Sequence, residues 1–252
     1  DVLRRLAKHN PDMLHNTASE LGTALLHLCQ NLRSQVSRNA LLAFGEMFMF
    51  LKQHMDPIIE TAVPVLMKRA CETNAFIRDS SDNVLHQMVR FASVRPSMVA
   101  LMAAGTNRNA HMRTRCAAHL ESLIEASGDK LLQLRETDRL FSTFAAFVGD
   151  SNPECRAHGK RAACGLAELY GSSEFERKCK ALISPEASCR KVLEVVEQGR
   201  LQGVDIFGAA PGGFSGGVVG GGRTRRLTTS ATASSPKRFG GKSASFRQQQ
   251  QP

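Results

Sequence analysis

The chain has 252 residues, of which 42% are hydrophobic, so it is long enough to bury a sizeable core. It contains no apolar run of about 18 residues, which argues against a membrane span. Its 7 scattered cysteines include no C-x-x-C pair, which favours reduced thiols over disulfides.

The net charge of +10 is unevenly distributed along the chain. The residues after Asp205 include seven basic side chains and no acidic one, whereas the preceding part carries a net charge of only +3. Most of the basicity therefore belongs to the C-terminal segment. The high pI is weak support for nucleic-acid binding by the folded part.

One pattern recurs four times, from anchors at Val36, Ile77, Met112 and Cys155, at spacings of 41, 35 and 43 residues. Small residues stand four positions after each anchor, namely Ala40, Ser81, Cys116 and Gly159. Apolar residues stand eight positions after each anchor, namely Phe44, Leu85, Leu120 and Ala163. Repeats of this length with a helical internal period predict an all-α solenoid of paired antiparallel helices, of the HEAT or armadillo type.

Each anchor is predicted to open a long helix, and a shorter apolar helix precedes each one. The shorter helices are predicted at residues 16–29, 57–70, 96–104 and 136–148. Pro57 and Pro153 suit a first helical turn, whereas Pro64 falls inside a helical pattern and predicts a kink. The small residues four positions after the anchors predict close approach by a neighbouring helix.

The same phase extends to both ends of the pattern. Leu3, Leu6 and Ala7 take the places of a second helix, so we expect the chain to start within a repeat. Residues 173–183 and 186–198 predict a final helix pair, after which Gly199 and Gly203 end the ordered part. We therefore expect a HEAT-repeat domain at residues 1–203 and a disordered, basic Gly/Ser-rich tail at residues 204–252.

Candidate chemical sites in the sequence have simpler explanations in packing. Cys116/His119 and Cys155/His158 have a spacing that zinc ligands use, yet both cysteines occupy packing positions of the repeat. Asp79 and Asp82 are explained by a solvated helix face. No nucleophile-elbow, zinc-protease or Walker motif occurs, so we expect neither an enzyme nor a cofactor nor a metal.

Basic residues follow the anchors at equivalent places, where Arg78, Arg113 and Arg156 correspond to Ser37. Further basic residues flank them, namely Arg33, Arg38, Arg108, Arg115, Lys160 and Arg161. Equivalent places in a stacked solenoid fall along one edge, which predicts a basic ridge suited to an acidic protein surface. Ordinary solvated helix ends are the alternative, although helix N-termini favour acidic residues.

In the tail, Ser235-Pro236-Lys237-Arg238 has the form of a proline-directed kinase site. Phosphorylation at Ser235 would add negative charge to the basic tail.

The segments that precede the second helices resemble the intra-repeat loops of TOG domains, in particular the CLASP and crescerin branch (TOG array regulator of axonemal microtubules). The resemblance rests on the run from Asn31 to Arg38, on Asn74-Ala75-Phe76-Ile77-Arg78 and on the loop before Arg113, and it covers about residues 1–203. It implies six HEAT repeats in a flat paddle whose loop edge binds αβ-tubulin. It also implies regulation of microtubule growth, in crescerins at cilia.

The resemblance implies a tubulin-facing edge that comprises Arg33, Ser34, Gln35, Phe76, Arg78, Asn109, Arg113 and Arg156. It also implies a monomeric module of a longer chain, located in the cytoplasm on the cytoskeleton or at the ciliary axoneme. One departure is the absence of Trp, which tubulin-binding TOG domains commonly place in their first loop. The alternative is a HEAT scaffold that binds another protein and not tubulin. A third reading, nucleic-acid binding, rests on the basic tail.

Overall fold

The structure, a computed structural model, describes residues 2–201 as eleven α-helices joined by loops and short 3-10 turns. The helices are α1 (Val2–His9), α2 (Ala18–Cys29), α3 (Ser34–Leu51), α4 (Ile59–Ala70), α5 (Ala75–Phe91), α6 (Val94–Ala104), α7 (Ala110–Ser127), α8 (Asp138–Val148), α9 (Pro153–Tyr170), α10 (Ser172–Leu182) and α11 (Glu186–Leu201). No helix in this part of the chain is both long and apolar enough to cross a membrane.

Consecutive helices pack as antiparallel pairs, α2 with α3, α4 with α5, and so on to α10 with α11. The second helices also pack side by side in chain order, from α1 and α3 to α9 and α11, and α4 packs on α6. The apolar stripes of both layers meet in one continuous core. The prediction of an all-α HEAT-type solenoid is confirmed.

The repeat pattern places its small and apolar residues in this core. All four small residues at the plus-four places are buried, as are the four residues at the plus-eight places. Gly159 shows why a small residue is needed, because a Cβ there would lie 2.7 Å from Phe147 Cβ and 3.0 Å from the Phe147 carbonyl carbon. The predicted close approach of a neighbouring helix is confirmed at this position.

Among the four junctions where a loop leads into α3, α5, α7 or α9, three have the same cap. The side chains of Asn74, Asn109 and Asn152 accept hydrogen bonds from backbone amides in the first turns of α5, α7 and α9. Pro153 occupies the first turn of α9 as predicted. Pro57 instead lies in a 3-10 segment, Lys52–Ile58, just before α4. The α4 helix continues through Pro64, and a kink there stays a prediction.

The two ends of the described part also follow the repeat phase. Ala7 is buried, and Leu3 and Leu6 pack against the core, as expected for residues of a second helix. The predicted final helix pair corresponds to α10 and α11, but α11 continues past Gly199 to Leu201. The domain boundary at residue 203, the tail at 204–252 and the site at Ser235 lie outside the described residues.

Candidate interaction edge

Four loops connect the two helices within the first four pairs, α2–α3 to α8–α9. The first loop is residues 30–33, the second 71–74, the third 105–109 and the fourth 149–152. Each loop precedes the N-terminus of a second helix, so equivalent loops of stacked repeats adjoin one another. The eight residues of the predicted edge all lie in these loops or in the first turns of the helices that follow them.

The first two loops expose large apolar side chains. Leu32 is fully exposed at 101%, and Phe76, at the start of α5, is 69% exposed. The guanidinium carbon of Arg38 on α3 lies 5.5 Å from the centroid of the Phe76 ring, within cation–π range. Leu32, Arg33, Arg38 and Phe76 together form what we call the loop patch, which spans two adjacent repeats.

Other predicted residues surround this patch. Arg33, Ser34 and Gln35 are exposed, and the Arg33 amide donates to the Asn31 side chain at 2.9 Å. Arg78 is half-exposed and donates to the Asp79 carboxylate at 3.1 Å. Asn109 acts as a helix cap, since its side chain accepts the His111 amide at 2.9 Å.

The last two predicted arginines hold loops in place. Arg113 donates to both oxygens of the Asp150 carboxylate, at 2.6 and 3.0 Å, and to the carbonyls of Asn107 and Arg108. Arg156 donates to the carbonyls of Asp150 and Ser151, each at 2.8 Å. The sequence pattern predicted a basic ridge at these positions, whereas the guanidiniums of Arg113 and Arg156 bind loop acceptors within the chain. A guanidinium carries enough donors to satisfy several loop acceptors at once, which the sequence pattern alone does not show.

The ion pair of Arg113 and Asp150, which joins the third and fourth loops, favours the charged form of both side chains. The hydrogen bond from Arg113 holds the pKa of the Asp150 carboxyl below its ordinary value, and the same bond raises the pKa of Arg113. The Asp150 side chain is only 7% exposed, so water weakens this pair less than it weakens a surface ion pair.

Several flanking basic residues belong to contacts between repeats. Arg115 and His119 on α7 contact the Asp82 carboxylate on α5 at 2.7 and 3.0 Å. The solvated-face interpretation is therefore wrong for Asp82, which is buried. Arg161 and His158 on α9 contact Glu121 on α7 in a similar way, at 2.5 and 2.6 Å. The exposed cations along the loop edge are consequently fewer than the sequence predicted: Arg33, Arg38, Arg108 and Lys160.

The two C-x-x-H pairs do not converge on a common point. Burial raises the pKa of the Cys155 thiol to about 12 and that of Cys116 still further, which disfavours the thiolate that zinc requires. Their histidines contact carboxylates of the preceding repeat. Among residues 2–201, no group of three or more His, Cys, Asp and Glu side chains is placed to hold a metal ion.

Two residues of this edge were missed by the sequence analysis. Leu32 stands as an apolar residue among polar turn residues, and that contrast was the available signal. Arg69 on α4 donates to the carbonyl of Cys29, at the end of α2, and to that of Asn31 in the first loop, which lie 40 and 38 residues away in the chain. Its helix pattern carries no sign of this contact.

The fold and the edge together define a helical-repeat module with a row of loops along one edge. The family model described as CLASP N terminal matches residues 3–175. The chain therefore belongs to the CLASP N-terminal family, and it is a TOG domain of the CLASP and crescerin type.

One curated relative and two solved structures show which proteins of this family the chain is similar to. The chain is 31% identical over 212 residues to TOG array regulator of axonemal microtubules protein 1 of Mus musculus, covering 81% of this chain but only 12% of that protein. A structure described as "Crescerin uses a TOG domain array to regulate microtubules in the primary cilium" superposes with a TM-score of 0.61 at 13% identity, covering 77% of this chain and 81% of that chain. Another, described as "TOG-tubulin binding specificity promotes microtubule dynamics and mitotic spindle formation", superposes with a TM-score of 0.56 at 16% identity, covering 78% and 75%.

Proposed function

We propose that this chain is a tubulin-binding module that regulates microtubules, at the axoneme of cilia, and that it binds αβ-tubulin through its loop edge. The observation that carries the proposal is the loop patch, where Leu32 and Phe76 are exposed beside Arg33 and Arg38. The name of the mouse relative, a regulator of axonemal microtubules, supports the same partner.

The chemistry of the loop patch suits an acidic protein surface. Apolar and aromatic side chains surrounded by arginine supply the buried anchors that dominate most protein interfaces. Exposed basic residues steer an acidic partner towards the edge and set its orientation. We therefore assign direct contact with tubulin to five of the predicted edge residues, namely Arg33, Ser34, Gln35, Phe76 and Arg78. We assign the shaping of the third and fourth loops to Asn109, Arg113 and Arg156.

The test is the affinity of the full chain for purified αβ-tubulin, measured by sedimentation velocity. We expect Leu32→Ala combined with Phe76→Ala to weaken binding by more than tenfold, since removal of central anchors typically costs about 2 kcal/mol or more. Because both side chains are exposed, the thermal unfolding midpoint should stay unchanged.

The matched control is Met13→Ala, which removes an apolar side chain from the 3-10 segment between α1 and α2. Met13 is 71% exposed, comparable to Phe76. This variant should bind as the wild type does. No complex with the wild-type chain would overturn the tubulin proposal and favour a scaffold for another protein. Binding that RNA competes away would favour the nucleic-acid reading. Retained affinity in the double variant would remove the loop patch from the interface.

The ciliary part of the proposal has its own test. A fluorescent fusion of the full chain in ciliated cells should accumulate along axonemes, and the Leu32→Ala, Phe76→Ala fusion should not. Equal axonemal signal from both fusions would show that the loop patch does not direct this location.

A further inference from the structure

The first loop lacks the brace that the third and fourth loops use. There, Arg113 and Arg156 each donate to carbonyls five and six residues earlier in the chain. At the equivalent place in the first turn of α3, the chain has Ser37, whose hydroxyl is buried and donates to the Cys29 carbonyl at 2.6 Å. A hydroxyl carries one donor, so it leaves the other loop acceptors to a different group.

Arg69, near the end of α4 in the next repeat, reaches those acceptors. Its Nε and Nη2 donate to the Cys29 carbonyl at 2.7 and 2.5 Å, and Nη2 lies 3.1 Å from the Asn31 carbonyl. Nη2 also donates to the Ser37 hydroxyl at 3.0 Å. On the other side, Nη1 pairs with the Glu72 carboxylate of the second loop.

Two of these acceptors, the Asn31 carbonyl and the Glu72 carboxylate, correspond to acceptors of the Arg113 brace. The Asn31 carbonyl is six residues before Ser37, as the Asn107 carbonyl is six residues before Arg113. Glu72 occupies the place in the second loop that Asp150 occupies in the fourth, six residues before the next plus-one position. The guanidinium thus joins the first two loops, although it comes from a different helix.

We infer that Arg69 is a positioning residue for tubulin recognition, which holds the first loop so that Leu32 points into solvent. This inference rests on the proposed function. Leu32 lies directly between two fixed points, the Asn31 carbonyl held by Arg69 and the Arg33 amide held by the Asn31 side chain. A loop fixed in advance loses less conformational freedom on binding, and affinity rises accordingly.

A double-mutant cycle between Leu32→Ala and Arg69→Met in the full chain tests this inference, with αβ-tubulin affinity as the readout. We expect Arg69→Met to weaken binding by about tenfold, the scale set by ordering one or two side chains and a short loop. In the Leu32→Ala background the same change should have little effect, because Arg69 acts through Leu32.

Arg161→Met is the control, because Arg161 pairs with Glu121 between α9 and α7, away from the loops. It should lower the unfolding midpoint without any coupling to Leu32→Ala. If Arg69→Met fails to fold, Arg69→Lys replaces it, since lysine keeps the charge but not the forked donors. It should give a smaller loss of tubulin affinity with the same coupling to Leu32→Ala.

The outcomes separate the two proposals. Additive effects of Leu32→Ala and the Arg69 variant, or unchanged affinity on loss of Arg69, would overturn the positioning role while the tubulin proposal stands. Absence of binding by the wild-type chain would overturn both.

Discussion

The first pair of loops and the last pair are built from the same repeat but arranged differently. The first two expose Leu32 and Phe76 and are joined by Arg69, an arginine from a neighbouring helix. The last two expose no large apolar side chain and are joined by Arg113, which belongs to the helix that follows its own loop. Large exposed apolar side chains are therefore confined to the first half of this edge, whereas both halves are braced by an arginine, taken from a different helix in each half.

The largest expected effect comes from breaking the brace of the last two loops. Arg113→Met should lower the free energy of unfolding by about 3 kcal/mol, because it leaves the nearly buried Asp150 carboxylate without its cationic partner. Thermal unfolding of the full chain measures this loss. Tubulin affinity should fall less than in the Leu32→Ala, Phe76→Ala variant.

The coupled change Arg113→Met with Asp150→Asn provides the control for that measurement. Removal of both partners should cost less than the sum of the single changes, because no unpaired charge stays in the loop. An additive result would contradict the view that the two side chains act as one brace.

An intermediate effect should appear in the pH dependence of the free energy of unfolding, through the Asp150 carboxylate of the fourth loop. Since the folded pKa of Asp150 lies below its ordinary value, its stabilising contribution is complete above the unfolded value, near pH 4. The contribution is lost as the pH falls through the lower, folded pKa. The stability difference between wild type and Asp150→Asn, about 2 kcal/mol at neutral pH, should therefore shrink below about pH 4.

Asp79→Asn is the matched control for this pH series, since Asp79 is a half-exposed acid whose partner, Arg78, begins an equivalent helix. Its stability difference from wild type should be small at every pH. A difference for Asp150→Asn that stays constant down to pH 2 would rule out the carboxylate as the source.

The smallest expected effect concerns the contact between Arg38 and the Phe76 ring. Arg38→Ala should weaken tubulin binding by about 0.5–1 kcal/mol, because it removes one steering charge and leaves the Phe76 ring without the cation–π contact that orients it. The loss should be greater at low salt than at high salt. A salt-independent loss would assign Arg38 to packing alone.

The helices and their packing could be predicted because their signal is periodic. A small residue four places after each anchor and an apolar residue eight places after it repeat often enough to reveal both the helix and its buried face. Gly159 illustrates this, as its place in the pattern predicted the close approach of a neighbouring helix, which in the structure is α8.

The roles of the charged residues could not be read in the same way. Whether an arginine faces solvent or a loop carbonyl depends on which acceptors the fold places nearby, and those acceptors are backbone atoms that every sequence carries. Arg113 and Arg78 occupy equivalent places, yet one is bound at four points and the other pairs with its neighbour Asp79. Arg69 lies outside the repeated motif, so periodicity gave no reason to select it.

The buried contact of Asp82 with Arg115 and His119 has a consequence for how the repeats align. The α5 and α7 helices share a smaller contact than α3 with α5 or α7 with α9, and this charged cluster lies within it. The hydrophobic effect is non-directional, whereas a buried charge displaced by one helical turn loses its partner at a high cost. The cluster therefore fixes the alignment of α5 with α7. This alignment in turn sets the distance along the edge between the first two loops and the last two.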